Sequence, residues 1–356
     1  MTPPFITVLI NTHNYGQFIE EAIDSVLSQD FPLDQFEILV VDDGSTDDTP
    51  QRVKKYGARV RYLYKQNGGQ ASALNLGITS ARGEIVVLLD ADDLFLPGRL
   101  AHVGRAFQEN PNLGMVYHPY LEWNVQTGER HQSALPLVSG DARVAADPFS
   151  EYITYLTSAI ALRRSSLGPL LPIPDRIRMI ADCFLVQLIP LLAPILALSE
   201  PLVIYRIHGG NQGAHCSGDG SVYYADPQQM LLEKRKSSLR QWKILFEAMR
   251  EWVRKNGYNM RQAPLLYFAI RWYQHEKMEE FRVNPPGRLR FFWFLAKENY
   301  LYSPKQTWKL TLFNYLWAFW GLGLGFKKAA FVYKWRAKVL EATERIFKRR
   351  VRAALG

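Results

Sequence analysis

The feature that most constrains this chain is the regular alternation of short β-rich runs with helical patterns in its N-terminal quarter. Residues 18–27 repeat apolar side chains at helical spacing, whereas 84–89 form a short apolar run. This alternation predicts a mostly parallel sheet with flanking helices, because a parallel strand needs a crossover connection before it. The predicted strands are residues 5–10, 36–41, 60–64 and 84–89, and the predicted helices are 18–27, 46–56 and 69–81.

The pattern changes after residue 113, where short strands are predicted at 113–117, 158–162 and 202–205. A helix is predicted from about residue 180 to 192, and the chain is helical in pattern from 227 onward. A Gly- and Ser-rich stretch at 209–220 is typical of a domain boundary. We therefore expect two regions, an α/β domain at 1–215 and an α-helical region at 216–356.

Composition indicates an ordinary globular protein, with 47% hydrophobic and 22% charged residues. The two cysteines, Cys183 and Cys216, belong to no CxxC pair, which argues against a disulfide framework or a zinc site. The N-terminus runs into a predicted strand and shows no signal-peptide pattern. A cytoplasmic location is the prediction that follows.

Polar clusters follow all four N-terminal strands. In an open parallel sheet, ligands bind beyond the carboxyl ends of the strands. Turn chemistry alone would explain any one cluster, but four of them at four strand ends predict a single binding cleft. The clusters are residues 11–16, 42–47, 67–70 and 90–93.

The most specific cluster contains three carboxylates, Asp90, Asp92 and Asp93, within four residues. Carboxylates this close repel one another, and a hard cation such as Mg²⁺ or Mn²⁺ would neutralise them through oxygen ligands. The alternative is a solvated turn that leads into a helix. We interpret the cluster as a metal site that the diphosphate of a substrate would complete.

The cluster that begins with Asp42 and Asp43 is less specific, since Ser45 or Thr46 could simply cap a helix. Asp42 and Asp43 cannot both serve as that cap. We therefore expect one carboxylate to be free for a ligand, with a nucleoside base or a ribose hydroxyl as its partner.

These segments together resemble family 2 inverting glycosyltransferases of the GT-A fold, which is Rossmann-like. The resemblance covers about the first 215 residues and rests on the sequences VLINTHNYGQFIEEAIDSVLSQ, ILVVDDGSTDDT, NGGQASALNLGI, GEIVVLLDADD and EPLVIYRIHGGN. It implies a nucleotide-diphosphate sugar as donor, with UDP expected. It also implies a divalent metal, Mg²⁺ or Mn²⁺, and a single displacement with inversion.

The resemblance assigns roles to particular residues. Asn11 and Asp43 match positions that contact the nucleoside, and Asp90 and Asp92 match the metal-binding motif. We also assign Asn67, in the cluster after the third strand, and Asp90 to the nucleotide-sugar site. Asp182 matches the general base, which in the family usually follows a Glu. Simple capping of a helix is the alternative role for Asp182.

Two departures from the family pattern bear on the site. Ala181 stands where relatives carry the Glu, and Leu74 stands where many carry an Arg. Arg206 or His208 could supply the missing cation at the donor phosphate, and we assign Arg206 to the nucleotide-sugar site. His208 is also a candidate metal ligand, with a hydrogen-bonded loop histidine as the alternative.

A segment near the C-terminus predicts contact with a membrane. Residues 310–326 carry no charge, and 327–352 hold ten Lys/Arg against two Glu, in a chain of formal net charge +9. Seventeen residues are the lower limit for a spanning helix, so we favour an interfacial helix within 305–352 over a span or core packing. The expected location is the inner face of the membrane, peripherally bound, near a glycan or lipid-linked acceptor.

The sequence leaves a second class of function open. Ala181 and Leu74 favour a catalytically silent scaffold that binds nucleotide sugars or membranes. Asp43, Asp90, Asp92 and Asp182 favour an enzyme of the hexosyltransferase type, acting in cell-surface glycan or polysaccharide biosynthesis. No nucleic-acid partner is expected, because the uncharged segment beside the basic tail fits lipid better than bases.

Overall fold

The structure is a computed structural model of the whole chain. It describes residues 4–133, 135, 137–141, 143, 156–208, 211, 215–216, 222–223 and 232–258. The chain divides into two compact units, Met1–Leu266 and Tyr267–Gly356, and every described residue lies in the first. The predicted membrane segment at 305–352 lies outside the described residues.

The described secondary structure alternates strands and helices as far as the fourth strand. The elements there are β1 (Ile6–Thr12), α1 (Gly16–Leu27), β2 (Phe36–Asp42), α2 (Thr49–Lys54), β3 (Val60–Tyr64), α3 (Gln70–Ser80) and β4 (Ile85–Asp90). Then follow β5 (Leu94–Phe95), α4 (Arg99–Glu109), β6 (Met115–Tyr117), β7 (Leu121–Asn124), β8 (Arg130–Gln132), β9 (Ile160–Arg163), α5 (Arg164–Leu167), α6 (Ala181–Leu188), β10 (Ile195–Ala197), β11 (Val203–Ile207), β12 (His215–Cys216), β13 (Val222–Tyr223) and α7 (Leu232–Lys255).

The main sheet has seven strands in the order β10-β6-β9-β4-β1-β2-β3. Its strands pair in parallel except at β9, which runs antiparallel to both β4 and β6. The predicted α/β class with a mostly parallel sheet is confirmed. Expected strands near 113–117, 158–162 and 202–205 correspond to β6, β9 and β11.

Burial on both faces explains why the central strands read as apolar runs. In β1, six of seven residues are buried, and β4 is buried except at Asp90. The register pairs Thr12 with Asp42 and Asn11 with Asp90. Three polar strand ends therefore meet at one edge of the sheet, as the sequence predicts.

A smaller sheet, in the order β5-β11-β7-β8, lies beside this edge. Strand β11 pairs antiparallel with β5, which follows the acidic residues after β4. Arg206 on β11 is consequently placed next to that turn. The strands β5, β7, β8 and β10 were not expected from the sequence, because each has only two to four residues and such runs carry little periodicity.

Helix α2 is shorter than the predicted helix at 46–56. Its predicted first turn is a loop because the Asn14 side-chain oxygen accepts hydrogen bonds from Thr46 N (2.7 Å) and Asp47 N (3.3 Å). Asp47 in turn accepts a hydrogen bond from Gly16 N at 3.0 Å. These contacts tie the loop after β2 to the start of α1.

Helix α7 packs on α6 with Leu245, Met249 and Val253 buried. The indole Nε1 of Trp252 donates a hydrogen bond to the carbonyl of Pro169 at 2.8 Å. The domain boundary that we place after residue 215 stays a prediction. Within the described part of the chain, no helix combines the length and apolarity that crossing a bilayer requires.

Candidate active site

The residues after β4 form a tight acidic turn, which we define as residues 90–93. The turn is closed by a hydrogen bond from Asp93 N to Asp90 O at 3.1 Å. Asp90 is half-buried, whereas Asp92 and Asp93 are 7% and 0% exposed. The three carboxylates therefore share a confined, poorly hydrated space at the carboxyl end of the sheet.

Confinement makes ionisation of this turn costly. Burial raises the pKa of Asp90 well above its usual value, and the charges of Asp92 and Asp182 raise it further. Burial likewise raises the pKa of Asp93, with added repulsion from Asp92 and Asp90. A divalent cation would relieve this repulsion, and oxygen-rich carboxylate sets are what Mg²⁺ and Mn²⁺ prefer.

His208 lies at the acidic turn, as predicted for a metal ligand. Its Nε2 is 3.1 Å from Asp92 Oδ2, and its side chain is 7% exposed. The ring packs on Phe18 with centroids 4.4 Å apart and meets Tyr15 edge-on at 6.1 Å. This packing fixes the imidazole beside Asp92.

The donor set suits a metal that a substrate completes. Within the described ranges, no three His, Cys, Asp or Glu side chains converge as a closed metal site. Mg²⁺ is typically held by one or two carboxylates together with substrate phosphates. The buried Asn11 Oδ1, paired across the sheet with Asp90, has no hydrogen-bond partner among the described residues. Asp90, Asp92 and His208 fit an open site of this kind.

Asp182 lies in the first turn of α6 and faces the same cleft. It is 6% exposed, and Thr157 Oγ1 donates a hydrogen bond to its Oδ2 at 2.9 Å. Burial raises its pKa, while hydrogen bonds from Thr157, from the Cys183 amide and from Gln70 oppose that rise. Thr157 also lies close enough to the Asp90 carboxyl to oppose the rise in its pKa. Thr157 therefore lies beside both the candidate base, Asp182, and the candidate metal ligand, Asp90.

Asp43 holds the loop between β3 and α3. Its Oδ1 accepts hydrogen bonds from Lys65 Nζ (2.7 Å) and Gly68 N (2.9 Å), and its Oδ2 accepts one from Gly69 N (2.7 Å). Asp42 is also engaged, by the Tyr62 hydroxyl at 2.6 Å and Ser45 N at 2.7 Å. The expectation that one of the two carboxylates would be free is wrong for this structure, because each already accepts hydrogen bonds from protein donors.

Asn67 lies at the mouth of the cleft. Its Oδ1 accepts a hydrogen bond from the Arg178 guanidinium at 2.7 Å, and its Nδ2 is 3.4 Å from the ring nitrogens of His13. Three loops thus meet here through exposed polar side chains. Nucleotide-sugar binding by Asn67 stays a prediction, and Arg178 is an exposed cation at the rim.

Arg206 has a different setting from the one expected of a phosphate ligand. It is 2% exposed, its Nη1 pairs with Glu21 Oε2 at 2.5 Å, and its Nε donates to the carbonyl of Asp92. Its guanidinium also lies over the Phe18 ring, 4.8 Å from the centroid. Contact between Arg206 and the donor stays a prediction.

Sequence reasoning missed the residues that support the site. Thr157, Ser158 and Gln70 carry hydrogen bonds to the catalytic candidates, yet each is a common polar residue. Of these three residues, only Gln70 could have been found from the sequence, because it lies in the NGGQASALNLGI segment that carries the family resemblance. Leu74, at the position of an Arg in many relatives, is fully buried in α3.

A mostly parallel sheet with an acidic turn after its fourth strand and a small second sheet beside that turn defines a GT-A glycosyltransferase fold. The family model of glycosyl transferase family 2 matches residues 7–167, from β1 through β9. This part of the chain belongs to that family, and the resemblance inferred from its motifs is confirmed.

Relatives of known sequence agree with this assignment. An uncharacterized glycosyltransferase of Nostoc sp. is 34% identical over 213 residues, which are 58% of this chain and 66% of the relative. An uncharacterized glycosyltransferase of Rickettsia typhi is 41% identical over 99 residues, which are 28% of this chain and 30% of the relative. The chain spans less than two thirds of these relatives' own length.

Solved structures share the fold. The S. aureus TarS 1–349 fragment in complex with UDP superposes with a TM-score of 0.50 at 18% identity, covering 90% of this chain and 91% of that one. Longer S. aureus TarS gives a TM-score of 0.50 at 19% identity, covering 78% of this chain and 54% of that one. Identity this low supports the architecture and leaves the substrate open.

Proposed function

We propose that this protein is an inverting, metal-dependent glycosyltransferase of the hexosyltransferase type that uses a nucleotide-diphosphate sugar. The observation that carries the proposal is the meeting of Asp90, Asp92 and Asp182 at one edge of the sheet. Burial and, after it, the charges of Asp92 and Asp182 raise the pKa of Asp90. Groups held in such a costly arrangement are typical of active sites.

The donor end of the cleft lies where β1, β2 and β3 end. Asn11 and Asp43 would bind the nucleoside, and Asn67 would bind at the mouth. Since Lys65, Gly68 and Gly69 already satisfy Asp43, its contact with the nucleoside would be made through this preassembled loop or in exchange for one of its donors. TarS binds UDP, so uridine diphosphate is the first nucleotide to test.

A divalent cation held by Asp90, Asp92 and His208 would neutralise the charge that develops on the leaving diphosphate. Asp182 would accept the proton of the acceptor hydroxyl as that oxygen attacks the anomeric carbon. Its raised pKa suits this role, because a base works best when its pKa approaches the operating pH. Attack from the face opposite the diphosphate would invert the anomeric centre.

The acceptor end of the cleft is formed around α6. We propose a glycan or lipid-linked hydroxyl as the acceptor, in cell-surface glycan or polysaccharide biosynthesis. Peripheral binding to an anionic membrane through residues 305–352 would bring the site to such an acceptor. Pelleting of the full chain with anionic but not zwitterionic liposomes tests this, and equal recovery in both supernatants would contradict it.

The first experiment is calorimetric titration of UDP, GDP and dTDP with Mn²⁺ or Mg²⁺. We expect one nucleotide to bind in a metal-dependent manner and Asp92→Ala to abolish that dependence. Asp24→Ala is the matched control, because Asp24 on α1 bonds the Tyr56 hydroxyl instead of a strand-end residue. Absence of binding by folded wild-type protein would favour the catalytically silent scaffold.

A further inference from the structure

Asp93 has different partners from the other carboxylates of the acidic turn. It is fully buried, its Oδ2 accepts a hydrogen bond from Ser158 Oγ at 2.5 Å, and its Oδ1 accepts one from Arg206 N at 3.1 Å. Both oxygens are therefore used by protein donors. A carboxylate bound in this way is poorly placed to become a ligand in the cleft.

The two partners of Asp93, Ser158 and Arg206, also hydrogen-bond the backbone of the acidic turn. Ser158 Oγ also accepts a hydrogen bond from Asp90 N at 2.9 Å, and the Arg206 guanidinium donates to the carbonyl of Asp92. Asp93 is thus linked to the backbone of both neighbours through one intermediate residue each. These two closed circuits fix the positions from which the Asp90 and Asp92 side chains project.

The buried guanidinium of Arg99 explains why an acidic side chain is needed at position 93. Arg99 is fully buried over the Phe95 ring, 3.9 Å from its centroid, and its Nε and Nη1 make no hydrogen bond within the described part of the chain. Its charge interacts with Asp93. A buried guanidinium without an anion nearby would be strongly destabilising, so Asp93 serves as the counter-charge for Arg99. Its Oδ1 also accepts a hydrogen bond from the uncharged backbone amide of Arg206.

We propose that Asp93, acting through Ser158 and Arg206, is a positioning residue that holds Asp90 and Asp92 in metal-binding geometry, and is not itself a ligand. This rests on the proposed function, since it assumes that Asp90 and Asp92 bind the metal. It also gives Arg206 a supporting role in place of a contact with the donor. The network joins the end of β4, the turn before β9 and strand β11 at the place where the metal would bind.

The test removes one atom from the network. Ser158→Ala deletes the hydroxyl that links Asp93 to Asp90, and we expect it to raise the Mn²⁺ concentration needed for half-maximal UDP binding by about tenfold, equivalent to about 1.4 kcal/mol. Ser158→Thr keeps the hydroxyl and should stay within about threefold of wild type. An unchanged Mn²⁺ requirement in Ser158→Ala overturns the proposal.

Ser25→Ala is the matched control. Ser25 Oγ also accepts from a backbone amide, Phe95 N at 3.0 Å, and donates to an oxygen, Ala22 O at 2.7 Å, but it lies outside the turn. We expect its Mn²⁺ requirement to equal that of wild type. An equal increase in both variants would overturn the proposal, because it would reflect general loosening of the fold.

Hydrogen exchange separates this proposal from the proposed function. The peptide covering residues 85–93 should exchange faster in Ser158→Ala than in wild type or Ser25→Ala, because Asp90 N loses its acceptor. The amide that loses its acceptor in Ser25→Ala is that of Phe95, which lies outside this peptide. If wild type binds no nucleotide with Mn²⁺, the proposed function fails, and the hydrogen-exchange result alone tests the Asp93 network. Faster exchange would then support the network, and unchanged exchange would refute it.

Discussion

Replacement of Asp182 by asparagine should separate activity from stability. The asparagine side chain has the same shape and keeps an oxygen that can accept from Thr157 Oγ1, which lies 2.9 Å from Asp182 Oδ2. It cannot accept a proton. Loss of a general base typically lowers kcat by about 10²–10⁴, which corresponds to roughly 2.7–5.4 kcal/mol of transition-state stabilisation.

The stability of the Asp182→Asn variant should be equal to or higher than that of wild type, although its activity falls. The pKa of Asp182 is raised in the folded protein, chiefly by burial. Its ionisation therefore opposes folding. This penalty is absent below the ordinary carboxylate pKa of about 3.9, grows as pH rises from there to the raised value, and is complete above it. At neutral pH, asparagine removes that penalty and also relieves the repulsion that raises the pKa of Asp90.

The assay follows sugar transfer, or slow donor hydrolysis if the acceptor is unknown, together with thermal unfolding and UDP affinity. We expect activity to fall by at least about a hundredfold, with unchanged UDP affinity and an equal or higher Tm. In wild type, kcat/KM should fall with acidification through a pKa above the ordinary carboxylate value. Activity within tenfold of wild type, or a lowered Tm with lost UDP binding, would show that Asp182 only caps α6.

Two further predictions concern the loop on Asp43 and the acidic turn. Gly69→Ala should destabilise the fold by more than the roughly 1–3 kcal/mol typical of backbone strain. Gly69 has φ +87°, and an added Cβ would also lie 2.8 Å from the Arg178 backbone. The control in urea unfolding is Gly57→Ala, because Gly57 has φ +56° but open space around it. A Gly69→Ala midpoint no lower than that of Gly57→Ala would refute this contact. Mn²⁺ should raise the Tm more at pH 7.5 than at pH 4.5, because the raised pKa values of Asp90 and Asp93 make their ionised forms costly without a cation. Equal Tm shifts in differential scanning fluorimetry would contradict this.

The sequence predicts the main features of the sheet because the central strands are long and buried on both faces. The same reasoning brings Asn11, Asp43 and Asp90 to one edge, since parallel strands all end there. The smaller sheet escapes such reasoning, because β5 and β8 carry two and three residues and their order depends on tertiary pairing. The positions of strands and helices could be predicted where the hydrophobic periodicity of the sequence was strong.

Side-chain partners were harder to predict than positions. Arg206 stands in a motif and has the charge for a phosphate, yet its guanidinium is buried against Glu21 and Phe18. Asp43 was expected to be available and instead organises Gly68 and Gly69. The partners of Arg206 lie on α1 and those of Asp43 in the loop before α3. Both sets are distant in sequence, and one sequence without tertiary contacts does not reveal which element will reach a given side chain.

The reversed direction of β9 has a consequence for where active-site residues can arise in this architecture. A strand that runs against its neighbours starts at the edge where they finish. Residues just ahead of it, Thr157 and Ser158, therefore arrive at the cleft without following any parallel strand. In a chain of this design, substitutions just upstream of β9 can change the side chains that line the cleft while the motifs after the parallel strands stay intact.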